Sequence, residues 1–189
     1  MTDTTPAQML DELGRINANA QRLVAKVADD QWGAPTPCTE WTVRDLVNHM
    51  TGTTKLFAAT ASRGAPESAP DADHLGDDPV GAFESAVATT MAAWRQDGAL
   101  EGMVSVPAEM PAVAALGVNV IDTGTHCWDL AQAIGADHGL TAAQVALIDQ
   151  WNHQVVSDQV RAGGGFGEIL EAEGDDPLTS MLAYVGRRG

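Results

Sequence analysis

Cysteine, basic residues and long apolar runs are all scarce in this chain of 189 residues. Its two cysteines, Cys38 and Cys127, are too few for a disulfide scaffold. Lys and Arg total 10 against 26 Asp and Glu, which gives a formal net charge of −16. Nucleic-acid binding needs a basic patch that neutralises phosphates, so this charge argues against a nucleic-acid partner. It also disfavours binding to anionic membrane surfaces.

Targeting and membrane signals are missing as well. No stretch approaches the ~20 apolar residues of a membrane span, and the first residues lack the basic start and apolar core of a signal peptide. We therefore expect a cytoplasmic protein that keeps its cysteines reduced. The length, together with a hydrophobic fraction of 44%, fits one domain covering residues 1–189.

The common sequence signatures of several enzyme classes are also absent. We find no phosphate-cradling glycine loop, no nucleophile elbow and no zinc-protease motif. What the sequence does contain is helical periodicity, because apolar residues recur every three or four positions in segments separated by Gly- and Pro-rich loops. The sequence therefore predicts an all-α fold.

Five helices are expected. They run from Pro6 to about Ala28, from a cap at Thr42, from Val80 to Gln96, from Pro111 to Ile134, and from a cap at Thr141 to Gly163–Gly165. A short strand is a candidate at Met103–Val106. The tail from Phe166 to Gly189 carries enough apolar residues to pack against the helices.

Several single residues add detail to these helices. Thr42 with Asp45 has the spacing of a capping box, in which each residue caps the backbone of the other. Gly117 and Gly124 lie inside the fourth helix, where glycine costs about 1 kcal/mol against alanine, so we interpret them either as close-approach points for a neighbouring helix or as room around a ligand. The long loop at 63–79 is either an active-site lid or surface slack, and we expect its His74 to be solvated.

Three residues could carry chemistry. Asp122 and His126 are four positions apart, which places both on one helix face, and His49 points inward from the second helix. The simpler interpretations are a surface pair for Asp122 with His126 and a core histidine for His49. Together, however, two imidazoles and a carboxylate can hold a divalent metal and leave coordination positions open.

Two longer motifs carry a family resemblance. They read PTPCTEWTVRDLVNH at residues 35–49 and HCWDLAQAIG at residues 126–135. Both resemble the signature segments of the mycothiol-dependent maleylpyruvate isomerase family, within the DinB/YfiT-like superfamily of metal-binding helical bundles. The ending LAYVGR at 182–187 is similar to that of a short actinobacterial branch of this family.

The resemblance implies a DinB-like four-helix bundle with an additional helix and a packed C-terminal tail. It implies a metal held by His49, Asp122 and His126, most simply Zn, with Ni or Fe as other fits. The isomerases have glutamate where this chain has Asp122, and they carry a C-terminal domain that we do not expect here. The metal site is therefore expected to carry over better than the isomerase activity.

The chemistry expected of such a site can be stated from general principles. A thiol bound to a divalent metal loses its proton and remains nucleophilic near neutral pH. We therefore expect a metal- and thiol-dependent transferase or isomerase acting on a small electrophile, with mycothiol or a similar thiol as partner. Asp129 either orients His126 or is a surface carboxylate. The alternatives are a structural or sensory metal site and a bundle with no metal, which is favoured if Asp122 cannot reach.

Overall fold

The computed structural model describes residues 4–69, 72–105, 108–162 and 166–188. Over these residues the chain forms seven α-helices and two short β-strands: α1 (Pro6–Val24), α2 (Val43–Ala61), α3 (Pro79–Trp94), β1 (Met103–Val104), β2 (Met110–Pro111), α4 (Ala112–Ile134), α5 (Ala142–Val155), α6 (Asp158–Ala162) and α7 (Pro177–Tyr184). The two strands pair antiparallel. Among the described helices, none has the length and apolar character needed to span a bilayer.

The first four helices form the bundle. Helices α1 and α2 each contact both α3 and α4, and one apolar core fills the space between the four. Helix α5 then packs on α4, and α7 packs on α5. Met181 and Leu182 of α7 are fully buried, so the tail is part of the packed structure. The predicted all-α, DinB-like bundle with an additional helix and a packed tail is confirmed.

The start of α2 is fixed by the predicted capping box. The Thr42 hydroxyl accepts from the Asp45 backbone N–H at 3.2 Å, and the Asp45 carboxylate accepts from the Thr42 N–H at 2.9 Å. Hydrogen bonds from Thr42 also lower the pKa of Asp45. Because these two reciprocal hydrogen bonds fix where α2 begins, His49 lies at a defined position about two turns into the helix.

Several predicted boundaries were wrong. Helix α1 ends at Val24 rather than Ala28, because the chain tightens there into turns with i to i+3 hydrogen bonds. Helix α3 lies one residue earlier at its start and ends at Trp94 instead of Gln96. Helix α5 stops at Val155, since Val156 leaves helical geometry at φ −87° and ψ 81°. The expected end at 163–165 and the last residue of the expected strand, Val106, lie outside the described residues.

Two glycines of α4 let α5 approach closely, as predicted. A Cβ atom on Gly117 would overlap the ring of Trp151, and one on Gly124 would overlap the side chain of Ile148. Both neighbours belong to α5, so the absence of a side chain at these positions sets the distance between the two helices.

Gly117→Ala is expected to lower the free energy of unfolding by about 1–2 kcal/mol. Overpacking against Trp151 outweighs the better helix propensity of alanine. Urea denaturation measures the change. Gly33→Ala is the matched control, because a Cβ there meets nothing within 4 Å. A Gly117→Ala protein at least as stable as the parent would contradict this close packing.

Candidate metal centre

The three predicted donor residues lie together at one side of the bundle. His49 Nε2 is 3.3 Å from Asp122 Oδ1, and His126 Nε2 is 3.7 Å from the same oxygen. One donor atom from each residue lies within 4.8 Å of the other two. The two imidazole rings are nearly perpendicular, at 82°, with centroids 4.9 Å apart. Helices α2 and α4 thus bring together residues that are 73 positions apart in sequence.

These separations fit a divalent cation. A tetrahedral ion with bonds of about 2.0–2.2 Å holds its ligand atoms roughly 3.3–3.6 Å from one another. Of the two N to O distances, 3.3 Å lies at the lower end of this range and 3.7 Å lies just above its upper end. Asp122 therefore reaches both histidines despite having one methylene less than glutamate.

Two further residues orient this donor set. The Thr53 hydroxyl donates to Asp122 Oδ2 at 2.8 Å, which leaves Oδ1 directed at the histidines. The Trp41 ring packs with its centroid 4.6 Å from that of His49 and 6.0 Å from that of His126. The sequence analysis did not predict Trp41 or Thr53 as part of the site. The available signal for Thr53 was its position four residues after His49, which places both side chains on the same face of α2.

Behind His126 lies a buried ion pair. Asp129 Oδ2 accepts from His126 Nδ1 at 2.8 Å, and both oxygens of Asp129 accept from Arg187, at 3.3 and 3.1 Å. The Asp129 side chain has no exposed surface, so the surface interpretation of this residue was wrong. A proton held on Nδ1 leaves the Nε2 lone pair of His126 free to bind a cation.

The electrostatics keep both carboxylates ionised. Burial acts to raise the pKa of Asp122, but the hydrogen bond from His49 and the nearby histidine charges outweigh it and lower that pKa to about 2. Burial opposes ionisation of Asp129 too, yet the His126 hydrogen bond and the charge of Arg187 lower its pKa. Ionised carboxylates are the form in which these residues bind cations.

Cys38 lies beside this buried ion pair. It is half-buried, with Sγ 3.4 Å from Asp129 Oδ2 and 3.5 Å from Arg187 Nη2. Burial and the Asp129 charge raise the pKa of its thiol to about 12. Cys38, His126 and Asp129 also form a three-donor group. However, the Arg187 guanidinium already sits against two of its members, so this group is an ion-pair network.

A cavity of about 600 Å³ opens onto the donor set. His49, Asp122 and His126 all line it, together with Trp41 and Arg187. A smaller cavity of about 170 Å³ shares His49 with it. The candidate metal centre therefore faces a space large enough for a small molecule rather than the closed core.

The loop before α3 packs on α2 beside the smaller cavity. The Asn48 side chain accepts from the His74 backbone N–H at 2.7 Å and donates to the Ala72 carbonyl at 3.0 Å. His74 is 7% exposed, so our expectation of a solvated residue was wrong. The ring fits because Gly52 has no Cβ, which would lie 2.6 Å from it. The prediction failed because the loop is rich in polar residues, which are typical of solvent-exposed segments.

Comparisons with known proteins give a consistent result. Residues 13–131 match the family model for the mycothiol maleylpyruvate isomerase N-terminal domain, a range that contains all three donors. Two uncharacterized proteins of Mycobacterium tuberculosis, Rv0738 of strain H37Rv and MT0763 of strain CDC 1551, are each 35% identical over 169 residues. These matches cover 87% of this chain and 90% of each relative. No solved structure matches the chain significantly.

Proposed function

Because the chain belongs to the mycothiol maleylpyruvate isomerase N-terminal domain family, we propose that it is a cytoplasmic metal- and thiol-dependent enzyme. The proposed activity is that of a transferase or isomerase acting on a small electrophile. His49, Asp122 and His126 would hold one divalent metal, for which Zn is the best fit and Ni or Fe also suit the donors. The thiol partner would be mycothiol or a similar low-molecular-weight thiol.

The observation that carries this proposal is the cavity in front of the donors. Structural zinc sites are closed by four protein ligands, whereas catalytic sites use three and keep a position open. Within the described part of the chain, this donor group has three members, and all three line the cavity of about 600 Å³. This arrangement favours an enzyme over the alternative of a structural or sensory metal site.

The state of the cysteines supports a thiol from outside the chain. Burial raises the pKa of Cys38 and of Cys127 to about 12, so both remain protonated near neutral pH. A divalent metal held by His49, Asp122 and His126 would supply this activation to the external thiol, because coordination lowers the pKa of a thiol. The protein residues then act around that centre: Asp129 fixes the proton of His126, and Thr53 orients Asp122.

Cobalt substitution tests the proposed function. The chain purified without chelators is expected to carry about one equivalent of a transition metal, as one three-ligand site predicts. After replacement by Co²⁺, adding mycothiol is expected to change the ligand-field absorption, because the sulfur enters the open position. The S-methylated thiol is the control, since it cannot form a thiolate. An unchanged spectrum at saturating mycothiol would leave the non-catalytic metal site as the better explanation.

A further inference from the structure

We propose that the smaller cavity beside His49 is a separate subsite for the electrophile, and that the larger cavity is left to the thiol. The electrophile is then about the size of one six-membered ring and carries an oxygen atom at the end that meets His74. The inference rests on the proposed function for the identity of the two reactants, but the evidence for the subsite itself involves no thiol.

The two cavities differ in volume in the same direction as the two reactants. The larger one, of about 600 Å³, falls within the range of about 300–1,000 Å³ that is usual for sites of drug-sized ligands, and a thiol of the size of mycothiol belongs to that class. The smaller one, of about 170 Å³, is close to a cavity of about 150 Å³ that holds one benzene molecule. A ligand of the smaller cavity can therefore be little larger than one ring.

The two cavities meet along two turns of α2. His49, Thr53 and Leu56 line both of them, whereas Asp122 and His126 line only the larger one. A small molecule in the smaller cavity would therefore leave the space in front of the donor set free for a thiol. The two molecules would still be neighbours, because both would contact His49.

The outer wall of the smaller cavity comes from the long loop before α3. Pro66, Glu67, Ser68 and His74 of this loop all line the cavity. The two hydrogen bonds of the Asn48 side chain hold the loop against α2 at this point. The sequence left open whether the loop is an active-site lid or surface slack, and its position here makes it the wall of a subsite.

His74 marks the end of the cavity at which a ligand needs a polar atom. Its Nδ1 lies 3.4 Å from the Ser68 hydroxyl, but its Nε2 is buried and has no hydrogen-bond partner among the described residues. The Nε2 edge of the ring packs against Gly52, and all three residues line the cavity. A buried polar atom without a partner is unfavourable, so it indicates that a partner is missing. An oxygen atom of the ligand would supply that partner.

Phenol, toluene and 2-naphthol are unreactive probes of this subsite, and each is titrated into the full chain, purified without chelators, by ligand-observed NMR. The phenol hydroxyl can donate or accept, so it suits either tautomer of His74. Phenol is expected to bind at least as tightly as toluene, whereas a cavity without a polar partner would favour toluene. The larger 2-naphthol is expected to bind about tenfold more weakly than phenol, because it overfills the cavity. Tighter binding of either toluene or 2-naphthol than of phenol would overturn the proposal.

Two variants of His74 place the binding in the smaller cavity. His74→Phe keeps a ring but removes both nitrogens, so the affinity for phenol relative to toluene is expected to fall at least about fivefold. His74→Ala opens the end of the cavity, so the affinity for 2-naphthol relative to phenol is expected to rise. His153→Ala, on α5 and with an exposed side chain, is the control and leaves all three affinities unchanged. Circular dichroism reports whether each variant folds, and unchanged relative affinities in a folded His74 variant would refute the proposal.

Simultaneous binding tests the division of the two reactants between the cavities. In the cobalt-substituted chain, saturating phenol is expected to leave the absorption response to mycothiol intact, and mycothiol is expected to leave the affinity for phenol unchanged. Competition between the two would mean that they share one cavity, which would overturn the proposal. Phenol binding as predicted, without any cobalt response to mycothiol, would instead remove the proposed thiol-dependent function and leave the small-ligand subsite in place.

Discussion

His49→Ala and His126→Ala are each expected to abolish tight binding of a divalent metal. Either change removes one of the two imidazole nitrogens that lie beside Asp122 Oδ1, and so one of the three candidate donors. Loss of a residue that merely supports a ligand costs about 10–100-fold in metal affinity, and loss of the ligand itself is expected to cost more. Metal content after dialysis, together with a competition titration against a chromogenic chelator, measures the effect.

His153→Ala is the matched control for these two variants. His153 lies on α5, and its nearest carboxylate partner is Asp149 at 3.6 Å, with the histidine side chain 56% exposed. It should keep the metal content of the parent chain. Full metal occupancy in both His49→Ala and His126→Ala would remove the assignment of these residues as ligands.

Asp129→Asn is expected to lower both stability and metal affinity. The amide has nearly the same shape as the carboxylate but leaves Arg187 without its counter-charge in a buried place. Breaking a buried ion pair in this way typically costs about 3 kcal/mol or more. The neutral amide oxygen is a weaker acceptor for His126 Nδ1 than the carboxylate, so metal binding is expected to weaken about 10–100-fold. Urea denaturation and the chelator competition give the two numbers.

A double variant separates these two effects. Asp129→Asn combined with Arg187→Met removes the unpaired charge, so it is expected to recover part of the lost stability. It does not restore the carboxylate behind His126, so metal affinity should remain low. Recovery of metal affinity along with stability would mean that Asp129 acts only through folding and does not position the ligand.

The sequence could predict the helix positions of the three candidate donors because the signals for those positions are local. The cap at Thr42 fixes the start of α2 and hence the inward direction of His49, and the four-residue spacing places Asp122 beside His126. That the two helices meet at these residues could not be derived from periodicity, since it depends on how the bundle packs. The family resemblance supplied that step.

The surroundings of the donors were much harder to predict. Arg187 is 58 positions from Asp129, and Cys38 is 91 positions from it. No periodic pattern links such distant residues, and each looks ordinary in its own segment. The burial of His74 was missed for the same reason, because it depends on the missing side chain of Gly52 on another element. Local patterns predict helices and their faces, whereas contacts from loops and tails need the structure.

The contact between Arg187 and Asp129 couples the C-terminal tail to the candidate metal centre, because Asp129 also contacts His126. The family match stops at residue 131, so the counter-ion of Asp129 comes from outside the matched range. A fragment of residues 13–131 alone would therefore lack Arg187, the residue that pairs with the Asp129 carboxylate. Because Asp129 contacts both His126 and Arg187, a metal bound through His126 and the contact of Arg187 with Asp129 would stabilise each other to the same extent, by thermodynamic reciprocity.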